Sequence, residues 1–181
     1  MYLLMEKKII MLLAPQNFRD EEYLIPKEIF EKNGIKVYSV SKGVKIATGK
    51  FNTKVKIDYD ICDIDSLDFD GIILVGGMGS LDYKKEPVIA KLLYDFFTED
   101  KLIAAICIAP LILAQNRILR GKRATVWNDP GSNEQINFLE EKEAIYVNNE
   151  NVVIDDNIIT ANGVEVAEDF ALKIVDFFQK N

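Results

Sequence analysis

Three short stretches carry groups that together could make a thiol site: Cys107, Glu22 and the pair Gly76-Gly77. A cysteine reacts as its thiolate, so its surroundings must favour the anion. Cys107 ends the apolar run Leu102-Ile103-Ala104-Ala105-Ile106 and is followed by Ile108-Ala109-Pro110. Proline suits the first turn of a helix, which puts the sulfur on a tight strand-to-helix turn. There the free N–H groups and the positive end of the helix dipole stabilise a thiolate. The same turn exposes nucleophiles at the top of other α/β sheets. A carboxyl group such as Glu22, held between partly buried walls beside a thiolate, has its pKa raised. It then keeps its proton, hydrogen-bonds the sulfur and passes that proton on during reaction. Glycines at 76 and 77 let backbone N–H groups approach a reacting oxygen or sulfur closely. The competing assignment for Cys107 is an inert buried thiol, a common fate of free cysteine.

The elements that must position these groups are readable from apolar periodicity. Ile9 to Ala14 reads as a first buried strand, followed by a polar turn at Pro15-Gln16-Asn17. A helix then runs from Asp20-Glu21-Glu22 to a cap near Asn33-Gly34. Pro26 disfavours a helix interior, so Glu22 is expected at or just before the first full turn, beside the end of strand one. Ile35 to Val40 is a second strand, and 46 to 57 an irregular, hairpin-like excursion. Ile72 to Val75 is a buried strand ending at Gly76-Gly77. Pro87 opens a helix burying Val88, Ile89, Leu92, Leu93 and Phe96. After the Cys107 turn come a helix from about Ala109 to Asn116 and a strand from Arg123 to Trp127. A turn-rich loop at Asn128–Ser132 precedes short strands at Ala144–Val147, Val152–Ile154 and Ile158–Ala161. A last helix shows the stripe Ala167, Phe170, Ala171, Ile174, Val175, Phe178, with Glu165, Glu168 and Asp169 in its first turns. Strands alternating with helices predict one α/β domain over residues 1–181, a doubly wound, mostly parallel sheet sandwiched between helices. Ligands in such sheets bind beyond the carboxyl ends of the strands, where all three stretches end.

Composition narrows the chemistry. The chain contains no histidine, which removes any Cys–His or Ser–His pair and the commonest zinc or iron ligand. A net charge of −7 argues against a nucleic-acid-binding surface. Two cysteines make no disulfide framework, so a reducing, cytoplasmic setting is expected. The apolar run from Leu102 to Ala114 is too short to span a bilayer, and Met1–Lys8 lacks the pattern of a signal peptide. The acidic run 58–70 lacks the glycine turn and terminal glutamate of a calcium loop, so no metal is expected. Cys62 lies inside that run, where like charge opposes a thiolate, and reads as structural. Gly77-x-Gly79 meets Asp82 where a dinucleotide fingerprint needs a third small residue, so no cofactor is expected.

In its motifs the chain resembles the DJ-1/PfpI superfamily over almost its whole length. Ala104-Ala105-Ile106-Cys107-Ile108-Ala109-Pro110 looks like the family's cysteine elbow, Glu22-Tyr23-Leu24-Ile25-Pro26 like its glutamate motif, and Val75-Gly76-Gly77 like its glycine turn. Thr160-Ala161-Asn162-Gly163 and Glu168-Asp169-Phe170-Ala171 resemble its C-terminal segment. The resemblance implies a flavodoxin-like fold and assembly into a homodimer or higher oligomer, with apolar Tyr2-Leu3-Leu4-Met5 a candidate contributor. It also implies a glyoxalase or deglycase acting on a small carbonyl compound, a 2-oxoaldehyde such as methylglyoxal, or on its adducts. Cys107 and Glu22 would then do the chemistry, with the N–H groups of Gly77 and Ile108 holding the oxyanion. The alternatives are a redox-sensing or stress-protective protein whose Cys107 meets an oxidant, and an intracellular peptidase. Against the last, Ile108 stands where the peptidase-like branch carries histidine, and Trp127 where the DJ-1-like branch does. Asn162 stands where that branch places an arginine against oxidised sulfur. Trp127 and Asn162 are thus the expected pocket-lining departures.

Overall fold

The computed structural model describes residues 6–180. In chain order the elements are β1 (Lys8–Leu12), β2 (Gln16–Phe18), α1 (Asp20–Lys32), β3 (Lys36–Ser41), β4 (Ile46–Gly49), β5 (Lys54–Lys56) and β6 (Tyr59–Asp60). They continue with β7 (Gly71–Leu74), α2 (Pro87–Thr98), β8 (Leu102–Ile106), α3 (Pro110–Gln115), β9 (Arg123–Ala124) and α4 (Glu134–Glu141). Last come β10 (Ile145–Tyr146), β11 (Val152–Asp155), β12 (Ile158–Ala161) and α5 (Ala167–Lys180). The Tyr2–Met5 stretch lies outside the described residues.

Seven strands form the main sheet in the order β11-β12-β8-β7-β1-β3-β6, parallel throughout except for antiparallel β11 at one edge. Every residue of β7 and β8 is buried, as expected for central strands covered on both faces. Helices α1 and α5 pack on each other and against β3 and β12, while α2 packs on β7 and β8. Helix α5 shows why such a segment becomes an element. Phe170, Ala171, Ile174 and Val175 repeat at helical spacing and are all buried. This is the mostly parallel, flavodoxin-like α/β architecture. β1 pairs with β3 on one side and β7 on the other. The chain therefore reverses its direction of sheet growth there, opening a crevice beyond the carboxyl ends of β1 and β7.

The structure corrects several expected boundaries. The Gln16–Asn17 turn is part of β2, which joins β4 and β5 in a small second sheet. Buried Phe18 supplies the anchor that a polar turn would lack. Helix α1 spans Asp20–Lys32 as expected, with Glu22 in its first turn, and Pro26 inside it leaves the Glu22 carbonyl without its usual intrahelical donor. The Arg123–Trp127 strand shrinks to Arg123–Ala124, pairing with β10. Beyond it the backbone donors turn to other partners: Thr125 N–H to Thr160 Oγ1 at 3.0 Å and Trp127 N–H to the Cys107 carbonyl at 2.8 Å. Helix α4 has no counterpart among the predicted elements. Glu165 precedes α5, in a 3-10 turn spanning Val164–Val166. Among the described residues no helix is long and apolar enough to cross a membrane, and no cluster of three or more His, Cys, Asp or Glu gathers as a metal site.

Candidate active site

Cys107 follows β8 directly and adopts φ 63°, the left-handed region that side chains other than glycine rarely enter. Such a conformation costs on the order of 1–3 kcal/mol and persists only where its surroundings hold it. Two bonds do so. The Cys107 N–H donates to the Ala161 carbonyl at 2.8 Å, and its carbonyl accepts from the Trp127 N–H at 2.8 Å. The half-buried side chain is thereby aimed into the crevice.

Glu22 sits in the first turn of α1 with only 1% of its surface exposed. Neither carboxyl oxygen reaches a well-formed hydrogen-bond geometry, and the donors facing it are the Cys107 thiol and the Gly76 N–H. Burial raises its pKa to about 7; the Cys107 thiol, the Arg19 charge and the Gly76 N–H pull the other way. The Cys107 thiol is pushed upward too, first by burial and then by the charge of Glu22 and its hydrogen-bonding pull. The N–H groups of Ile108 and Gly77 oppose that by stabilising the sulfur anion. The helix dipole alone therefore does not make the low-pKa thiolate that the strand-to-helix turn predicts. α3 is short, and burial outweighs its end. What the site holds is a coupled pair, and the thiolate exists when Glu22 keeps the remaining proton.

The glycine turn makes this contact sterically possible. A Cβ on Gly76 would lie 2.4 Å from Glu22 Oε2 and 2.8 Å from Cys107 Cβ, so any side chain there would wedge the pair apart. Gly77 has φ 98°, and a Cβ on it would come 2.5 Å from the Arg19 nitrogen and the Asn17 carbonyl oxygen. The Arg19 N–H donates to the Gly76 carbonyl at 2.9 Å, tying the glycine turn to the start of α1.

These groups open into a cavity of about 270 Å³. Glu22, Gly77, Cys107, Ile108 and Trp127 line it, so five of the seven residues singled out from the sequence meet at one wall. Gly76 lies behind them as a spacer. Asn162 does not join them. Its amide donates to Asn151 Oδ1 at 3.0 Å and its N–H to the Asn151 carbonyl at 3.0 Å, which ties it to the chain entering β11. Cys62 lies exposed, with its N–H donating to Asp60 at 2.9 Å and its thiol pushed upward by that same carboxylate.

Sequence reasoning missed three charged residues that line the cavity: Arg19, Lys50 and Glu165. Arg19 is paired with Glu21 at 2.8 Å, and its guanidinium lies 5.0 Å from the Phe51 ring. Lys50 approaches the same ring at 5.6 Å. Arg19 stands three residues before Glu22 and could have been suspected. Lys50, on a hairpin turn, carries no local signal. Glu165 had a sufficient role in the helix dipole, which concealed it.

The match to the DJ-1/PfpI family extends over residues 7–177. The chain belongs to the DJ-1/PfpI family. It is 30% identical over 177 residues to glutathione-independent glyoxalase DJR-1.2 of Caenorhabditis elegans, covering 94% of this chain and 88% of that protein. It is 29% identical over 116 residues to deglycase PfpI of Pyrococcus furiosus, covering 64% of this chain and 70% of that one. Among solved structures, a ThiJ/PfpI domain protein from Brachyspira murdochii superposes with a TM-score of 0.90 at 30% identity, covering 97% of this chain and 99% of that one.

Proposed function

We propose that this protein is a glyoxalase-type enzyme that converts small 2-oxoaldehydes to 2-hydroxy acids without a cofactor. The observation that carries the reading is the buried Glu22 carboxyl, which has no well-formed hydrogen bond and faces the Cys107 thiol. Burying a carboxyl with no completed hydrogen bond is costly, and such a group is retained where its proton has work to do. The name of the Caenorhabditis elegans relative, a glutathione-independent glyoxalase, supports the same reaction.

In the reaction, Cys107 transfers its proton to Glu22 and the sulfur adds to the aldehyde carbon. The carbonyl π bond opens onto oxygen, and that oxygen takes the proton back from Glu22. Gly77 and Ile108 N–H groups, which stabilise the sulfur anion, stabilise the transient oxyanion in the same electrostatic way. The resulting hemithioacetal rearranges by moving a proton from the former aldehyde carbon to the neighbouring ketone carbon, giving a thioester. Water then cleaves the C–S bond, releasing the hydroxy acid and the thiol. The aldehyde carbon is oxidised and the ketone carbon reduced, so no external redox partner is needed.

Peptide hydrolysis makes a demand this site does not meet. A leaving amine must be protonated as its bond breaks, and the chain has no imidazole to relay that proton. The test is lactate formation from methylglyoxal by the purified protein, run beside a fluorogenic peptide assay with Cys107→Ala as control. Cys107-dependent lactate and no peptide cleavage are expected. No lactate, or Cys107-dependent peptide cleavage, would overturn the assignment.

A further inference from the structure

The rearrangement of the hemithioacetal needs a group that accepts a proton from one carbon and returns it to the next. Glu22 faces the sulfur and is engaged in its protonation. Trp127 offers only an indole N–H, a donor with no acceptor. Arg19 and Lys50, the cavity's cations, likewise carry donors alone. Glu165 remains as the cavity's other carboxylate.

Its placement is specific. A Cβ built on Gly163 would lie 3.1 Å from Glu165 Oε2 and 3.8 Å from Trp127 Cδ1. The carboxylate is therefore folded back toward the buried Gly163, on the same wall as the indole edge. The Trp127 backbone N–H in turn donates to the Cys107 carbonyl. Glu165 sits in the 3-10 turn Val164–Val166 just before α5, where its side chain is exposed to solvent and lines the cavity. Among the described residues Glu165 forms no ion pair or hydrogen bond, so its oxygens stay free to act as acceptors.

We propose that Glu165 is the second acid–base residue of this enzyme, moving the proton between the two carbons of the Cys107-bound substrate. This inference rests on the oxoaldehyde reading of the site. Glu165 takes the hydrogen of the former aldehyde carbon as a proton. The electron pair left behind forms a carbon–carbon double bond, and the ketone oxygen is protonated to give an enediol. Glu165 then protonates the former ketone carbon, and the hydroxyl on the sulfur-bearing carbon collapses to the thioester carbonyl with loss of its proton. No atom or electron comes from outside the adduct except these exchanged protons.

Glu165 is exposed on a turn, so substitution there spares the core. The experiment compares wild type, E165Q and E165Q with Trp127→His, following both lactate release and the Cys107 adduct by intact mass. E165Q is expected to lower kcat for methylglyoxal by on the order of 100-fold, with adduct formation within about twofold of wild type. The adduct should accumulate. Trp127→His, which supplies an imidazole on the same wall, should restore turnover to E165Q while leaving adduct formation unchanged. Full turnover by E165Q beside an active wild type would overturn the Glu165 assignment alone. Loss of adduct formation in E165Q would overturn it too, because the residue would then serve substrate entry or structure. A wild type that forms no lactate would sink the oxoaldehyde reading and this inference together.

Discussion

Cys62 and Cys107 are the same chemical group placed beside a carboxyl group in two opposite settings. Cys62 is exposed, and its thiol is held upward first by a hydrogen bond to Asp60. Asp60 is itself held below its ordinary pKa by the N–H groups of Cys62 and Gly43, so it does not take the thiol's proton near neutrality. Cys107 is raised as well, by burial and by Glu22, but Glu22 is raised to about 7. The comparison separates two quantities that are easily merged. A thiol's own pKa says how reluctantly it ionises; the neighbour's proton affinity says whether a proton can be handed over. Two cavities teach the same lesson about size. The larger, about 730 Å³, opens around Lys7, Lys101 and Lys122, whose partners Asp70, Glu99, Asp155 and Asp156 neutralise them. The smaller one holds the buried carboxyl of Glu22 facing a thiol, with no ion pair among the described residues to neutralise it.

The sharpest way to break the comparison is to remove the proton acceptor. Glu22→Gln keeps an amide donor but no transferable proton, and Glu22→Leu removes both. Each should lower methylglyoxal turnover by on the order of 10²–10⁴-fold, while Asp60→Asn leaves it unchanged; steady-state lactate assays decide. Wild-type rates in the Glu22 variants would exclude Glu22 from the chemistry.

A second consequence appears in stability. Glu22 ionises near 7 in the folded chain but near its ordinary 4.5 when unfolded. The folded state therefore binds the extra proton between those values, and stability falls as pH rises through that window. Above it, the buried charge costs about 3 kcal/mol at 1.36 kcal/mol per pKa unit. Glu22→Gln should accordingly stabilise the protein at pH 8 and leave it nearly unchanged at pH 4, as read by urea denaturation. An equal effect at both pH values would show that burial of charge is not the cause.

The smallest expected effect is selectivity of alkylation. Near pH 7, iodoacetamide should label Cys107 faster than Cys62 by roughly tenfold, because only Cys107 has a neighbour able to take its proton. Peptide mass spectrometry assigns the label. Preferential modification of Cys62 would reverse the comparison, showing that access outweighs proton transfer.

Much of the fold was legible because its signals are local. Ile72–Val75 and Leu102–Ile106 are apolar runs that suit only covered strands, and the α5 stripe repeats with helical period. The misreadings share a cause. Gln16–Phe18 is polar at two of three positions and becomes a strand because Phe18 is buried and β4 is beside it. Arg123–Trp127 has strand-forming residues, yet its later N–H groups go to Thr160 and Cys107. Neither choice is encoded within a few residues.

The sequence by itself determined which groups can react: one cysteine before a proline-started helix, one glutamate at a helix start, two glycines after a buried strand and no histidine. These are matters of residue type and short spacing, which local backbone rules translate directly. Only the tertiary structure decided what the groups do to one another. Bringing Glu22 and Cys107 together in a largely buried crevice reversed the expectation of a simple low-pKa thiolate, since burial penalises charge more than a short helix end rewards it. The fold likewise turned Asn162 toward Asn151 and set Glu165 on the cavity lining near Trp127. Such outcomes depend on chains distant in sequence sharing one low-dielectric space.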